Sequence, residues 1–141
     1  MLVWGTTTQT NKQRLFILQK KAVRFIENLR RYEHSFPIFQ RYKILNIEQI
    51  LLLKLSIFIF NEIRQSQTSF FDIYCKTSAN YSFRSAQYTK PRVRTNYDTQ
   101  HLTYLVPDLL NTHPTIAETA QTHISFFHYK NIIVEYIQSL L

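Results

Sequence analysis

The 141 residues, 17.0 kDa, suffice for one ordinary domain, and 45% apolar with 18% charged residues is the balance of a globular chain. A single glycine, Gly5, leaves no place for a glycine-rich phosphate loop, and a single cysteine, Cys75, can form neither an internal disulfide nor a paired-cysteine zinc site. Seventeen Lys and Arg against nine Asp and Glu give a net charge of +8, which favours a polyanionic partner, nucleic acid or an anionic membrane face.

Thr10 or Asn11 can cap a first helix running to about Arg30. Within it Leu15, Leu18, Ala22, Phe25 and Leu29 follow a 3,4,3,4 spacing, an apolar seam widened by Phe16 and Ile26. Arg14, Lys20, Lys21, Arg24 and Arg31 are assigned to the opposite, basic side. A solvated outer face would look the same, but through Lys43 the count is nine basic residues against Glu27 and Glu33. His34-Ser35-Phe36-Pro37 reads as a turn in which Ser35 caps a short helix through Phe39 and Tyr42. Asn46 and Gln49 have capping-box spacing, and the helix they open extends to about Arg64. It is apolar on nearly every side and is expected to be the centre of the core. Its longest apolar run, Ile50 to Phe60, is too short to span a bilayer.

From Gln65 to Ala86 the periodicity stops, and an irregular connection is expected, with a short helix near Phe70 to Tyr74. Lys76, Arg84, Lys90, Arg92 and Arg94 follow with no acidic residue among them, interleaved with Tyr81, Phe83 and Tyr88. Cations for phosphates and rings for bases is the composition of single-strand binders, while a solvated loop with its rings tucked into the core is the alternative. Arg92 to Tyr97 and His101 to Val106 could pair as a small β-hairpin around Asp98-Thr99-Gln100. Pro107 and Pro114 bracket a helical turn at Leu109-Leu110, and a last amphipathic helix covers about Ser125 to Leu141. Phe127, Ile133, Val134, Ile137, Leu140 and Leu141 form its apolar side. The expected fold is therefore mainly α, a small helical domain on two long helices and a C-terminal helix, with room for a hairpin near 92–106. One segment, 1–141, divides into a helical core (10–64), a basic-aromatic connection (65–97) and a C-terminal part (98–141).

No catalytic constellation emerges. The nine acidic residues are scattered singly, without the paired carboxylates of two-metal or acid/base chemistry. His123 and His128 are five apart, on different faces of a helix, and lack an acidic or cysteine partner. Asp72, one turn before Cys75, would raise the thiol pKa and disfavour a nucleophile there. No metal, cofactor or catalytic residue is assigned.

The order of several short blocks resembles the segment that follows the polymerase domain in non-LTR, LINE-type (jockey- or CR1-like) retrotransposon reverse transcriptases. Trp4-Gly5, Asn11, Leu15 and Leu18-Gln19-Lys20-Lys21-Ala22-Val23-Arg24 are similar to its opening. His34 to Phe39 with Lys43-Ile44-Leu45 resembles its HTxPLFxxLxIL block. Tyr81 to Ser85 resembles YNTRS, Pro91 to Asn96 resembles PRxRTN, and His101 to Pro114 aligns with SIxYxGPxxWNxLP at unbroken spacing. The departures are Val106 for glycine, Leu110 for tryptophan and His113 for leucine, and a last helix with Lys130 and Glu135 where the family is lysine-rich.

The resemblance covers nearly the whole chain and implies a non-catalytic piece of an RNA-directed DNA polymerase. It is expected to be a fragment of an element's second open reading frame, opening at Met1 just before Trp4-Gly5. Such a piece would help hold template RNA or target DNA, RNA ahead of DNA, inside the cell, in nucleus or cytoplasm. The nucleic-acid-binding candidates are Arg14, Lys20, Lys21, Arg24, Arg31, Arg84, Lys90, Arg92 and Arg94, with Tyr81, Phe83 and Tyr88 as stacking rings. The alternative is a structural module that docks on the parent's polymerase domain. No membrane partner is assigned, because Phe25, Ile26 and Leu29 read as core.

Overall fold

Asn46 opens the longest apolar stretch with a reciprocal cap. Its side-chain Oδ1 accepts from the Gln49 backbone N–H at 2.9 Å, and Gln49 Oε1 accepts from the Asn46 N–H at 2.9 Å. The computed structural model describes residues 6–64, 88–122 and 124–140, and among them the chain is mainly helical. In chain order the helices are α1 (Gln9–Ile26), α2 (Phe36–Arg41), α3 (Ile47–Arg64), a 3-10 turn (Asp98–Gln100), α4 (Leu102–Thr112), α5 (Pro114–Gln121) and α6 (Phe126–Ser139). None is long and apolar enough to cross a membrane.

Apolar on almost every side, α3 cannot be a surface helix, and it packs against α1, α4, α5 and α6. Leu51, Leu53, Leu55, Ile59 and Phe60 join Val106, Leu110, Ile116, Tyr129, Ile133 and Ile137 in one continuous core. Each large side chain buried there contributes about 1.5–3 kcal/mol. Polar groups fix its register. Gln49 Nε2 donates to the Ile137 carbonyl at 3.3 Å, and the Tyr129 hydroxyl donates to the Ser56 carbonyl at 3.0 Å. The Arg64 guanidinium lies over the Phe60 ring, 4.2 Å from its centroid, and donates to the carbonyls of Thr122 and Ile124, where α5 ends. The expected C-terminal helix is α6, capped by Ser125, whose hydroxyl accepts from the His128 N–H. Of its expected apolar side, Ile133 and Ile137 are buried and Phe127 and Leu140 are exposed.

Five expectations are corrected. The hairpin near 92–106 does not form: Asp98–Gln100 is a 3-10 turn, and His101 to Val106 lies at and within the start of α4. Pro107 sits inside α4 instead of bounding it, because burial of Val106, Pro107 and Leu110 outweighs the missing hydrogen bond. Pro114 opens a helix, α5, which periodicity missed; at the first position its absent N–H costs nothing. The cap expected at Thr10 or Asn11 does not form: Thr8 takes the cap position without a side-chain bond to the helix, and Asn11 donates to Thr7 Oγ1 at 2.9 Å. Helix α1 ends at Ile26, not near Arg30. Asn28 takes a left-handed conformation (φ 53°), and the Leu29 N–H turns back to the Arg24 carbonyl at 2.9 Å.

The same closing motif ends α2, where Lys43 has φ 50° and Ile44 N–H donates to the Phe39 carbonyl at 2.9 Å. A lysine held there carries a Cβ clash that glycine lacks. Lys43→Gly is therefore expected to stabilise the chain by about 1 kcal/mol, read as a higher urea midpoint at unchanged slope.

Both motifs fold residues back onto a second, smaller core of Val23, Ile38 and Phe39, with Phe16, Leu29 and Ile44 against it. The short helix near Phe70 to Tyr74 and the blocks at Trp4-Gly5 and Tyr81 to Ser85 lie outside the described residues, as do Cys75 and His123.

Candidate nucleic-acid interface

Helix α1 is turned differently from the orientation its 3,4,3,4 seam implies. Phe16, Gln19 and Val23 face the body of the protein. Gln19 Nε2 donates to the Leu45 carbonyl at 2.8 Å, Gln9 Nε2 donates to Glu48 Oε1 at 2.9 Å, and the Phe16 and Phe39 rings meet edge to face at 6.1 Å. Of the expected seam, Phe16 and Leu29 pack on the second core, whereas Leu15 and Leu18 are exposed, Phe25 is 87% exposed and Ile26 77%. Reading those exposed side chains as core is thereby overturned, and the sequence argument against a membrane-surface helix goes with it.

The expected basic side divides. At about 100° per residue Arg14 and Lys21 fall beside the outward apolar stripe, and both are exposed. Lys20 and Arg24 flank the buried side, where Lys20 Nζ sits 4.1 Å above the Phe16 ring centroid and Arg24 Nε donates to the Glu33 carbonyl at 2.8 Å. Arg31 is exposed in the turn after α1.

The second group of candidates is carried by an anchored, non-helical stretch. Tyr88 is pinned at both backbone atoms by one side chain: its N–H donates to Asn111 Oδ1 at 2.9 Å, and its carbonyl accepts from Asn111 Nδ2 at 2.8 Å. Downstream, the Asp98 carboxylate accepts from the N–H groups of Arg94 and Thr95, while its own N–H donates to Thr95 Oγ1. The Thr95 side chain first, and then the backbone N–H groups of Arg94 and Thr95, favour the ionised form and hold the Asp98 carboxyl below the usual range. Between the anchors Lys90, Arg92 and Arg94 are exposed and Val93 is half-buried. Lys90 pairs with Asp108 at 2.9 Å. Asn111→Ala removes both bonds to Tyr88 and is expected to cost about 1.5 kcal/mol of unfolding free energy, while loosening amide-exchange protection around Tyr88.

Tyr88 itself is 4% exposed and belongs to the main core, so its ring offers no face to a base. Arg84, Tyr81 and Phe83 lie outside the described residues.

One residue with no assigned role links the two groups. Lys12 shares the 12, 16, 19, 23 stripe with Phe16, Gln19 and Val23 and lines a groove of about 550 Å³ between the start of α1 and Asn96, Thr99, Gln100 and Tyr104. The first turns of α1 and the end of the Pro91 to Asn96 block thus border one groove. That i, i+4, i+7, i+11 spacing was the signal available in the sequence.

Among the described residues the ion pairs are Arg41 with Glu27 at 4.0 Å and Lys90 with Asp108. No group of three or more His, Cys, Asp or Glu is gathered for a metal among them. No protein-family model, curated protein or solved structure matches the chain.

Proposed function

We propose that the chain is a non-catalytic nucleic-acid-binding module, similar to the post-polymerase segment of a non-LTR retrotransposon reverse transcriptase, which holds RNA in preference to DNA. The observation that carries this reading is positive charge left without acidic partners. Arg14, Lys21, Arg92 and Arg94 are exposed and none of them is in an ion pair, while Lys12 is the cation that lines the groove between their two elements. Backbone phosphates are the natural counterpart, and contacts of this kind carry little sequence information.

Binding of the purified chain to labelled single-stranded RNA, an RNA hairpin and duplex DNA, followed by anisotropy across a salt series, tests the proposal. Affinity for RNA should fall linearly on a log–log plot, with a slope of about 0.7 per phosphate neutralised on a single strand. A folded monomer that ignored all three ligands at low salt would sink it.

A second reading, a structural module that docks on a polymerase domain, is favoured by the outward stripe of Leu15, Leu18, Phe25 and Ile26. If that stripe is an interface, the isolated chain should self-associate, and Leu18→Glu with Phe25→Glu should restore a monomer without loss of fold.

A further inference from the structure

Between α1, α2 and the start of α3 lies a cavity of about 300 Å³, close to the small end of ligand pockets. Its walls include Phe16, Phe36 and Phe39, and Lys20, Arg24 and His34 also line it, with no carboxylate among the lining residues. Phe39 is buried and braces Phe16 edge to face, whereas Phe36 is 51% exposed. Lys20 occupies one face of the Phe16 ring, which leaves Phe36 as the open aromatic surface. Arg24 is oriented by its Nε bond to the Glu33 carbonyl, an arrangement that keeps its terminal nitrogens available to a bidentate anion. Neither Lys20 nor Arg24 is in an ion pair.

An aromatic wall beside acid-free cations matches a ligand that is planar and apolar at one end and anionic at the other. We infer that this cavity takes one nucleotide of a single strand, its base stacked on Phe36 and its phosphate on Lys20 and Arg24. The inference rests on the nucleic-acid reading and deepens it: the exposed cations hold backbone, and the cavity holds one base. Sequence-tolerant stacking of this type is how single-strand binders gain affinity beyond charge.

Adenosine 5′-monophosphate, adenosine and inorganic phosphate, each titrated into the 15N-labelled chain, give the direct test. The amide resonances of Lys20, Arg24, His34 and Phe36 should move saturably with the monophosphate and much less with either part alone. Equal shifts with inorganic phosphate would mean an anion site without a base and would overturn the inference. So would no shift with the monophosphate at all. On a single-stranded RNA octamer, Phe36→Ala should weaken binding about tenfold or more, with Arg24→Gln weakening it as well. An octamer that bound the parent chain and both variants alike would remove the cavity while leaving the module a nucleic-acid binder. An octamer that failed to bind the parent chain would instead remove the broader proposal, and the monophosphate titration would still decide the cavity.

Discussion

Tyr129→Ala is expected to lower the unfolding free energy by about 3–5 kcal/mol, a large part of the stability of a domain this size. The ring is fully buried, stacks on Phe60 with centroids 4.3 Å apart and an interplanar angle of 24°, and its hydroxyl reaches the Ser56 carbonyl across the α3–α6 contact. Alanine would leave a void on both sides of that contact, whereas Tyr129→Phe keeps the ring and removes only the hydrogen bond, at about 1 kcal/mol. Burial also pushes the phenol pKa well above its ordinary value. A raised folded-state pKa means that this contribution is complete below the unfolded phenol's pKa of about 10 and declines as pH rises beyond it. Urea midpoints measured from pH 7 to 11 should therefore show a shallower alkaline decline for Tyr129→Phe than for the parent chain. A Tyr129→Ala protein with a near-native midpoint would mean that α6 is not held through this ring.

What the sequence makes legible depends on whether one local signal decides the outcome. The start of α3 is set by Asn46 and Gln49, three residues apart, and its length and apolar character leave no competing conformation; the hydrogen bonds found are those the capping-box spacing implies. Helix α1 is different. Its periodicity holds two overlapping stripes, Leu15-Leu18-Ala22-Phe25 and Lys12-Phe16-Gln19-Val23, and hydropathy alone favours the first. The second faces inward because Gln9 and Gln19 find partners on and beside α3, long-range bonds that no window along the chain contains. Prolines mislead for a related reason. Pro107 breaks a local pattern, but the surrounding burial of Val106, Leu109 and Leu110 is a tertiary fact. The candidate site shares this division. Exposure of Arg92 and Arg94 follows from composition, whereas burial of Tyr88 depends on Asn111, twenty-three residues away.

The largest functional effect is expected from removing the charges on the anchored stretch. Arg92→Gln with Arg94→Gln should lower the salt slope of single-stranded RNA binding by about 1.4, from two phosphate contacts at about 0.7 each. Carried from about 1 M salt, where the electrostatic part vanishes, to about 0.1 M, that slope amounts to roughly 25-fold in affinity. The fold should be untouched, because Asp98 holds the Arg94 backbone N–H and not its guanidinium, and Arg92 has an exposed side chain without an ion-pair partner. Arg14→Gln with Lys21→Gln supplies the comparison on α1. If one strand spans both elements, the two double variants should weaken binding by similar factors and their effects should add, since the four charges neutralise separate phosphates. An unchanged slope in the α1 pair, with loss in the Arg92 and Arg94 pair, would confine the interface to the anchored stretch. The outward face of α1, with its apolar stripe beside Arg14 and Lys21, would then belong to the docking reading.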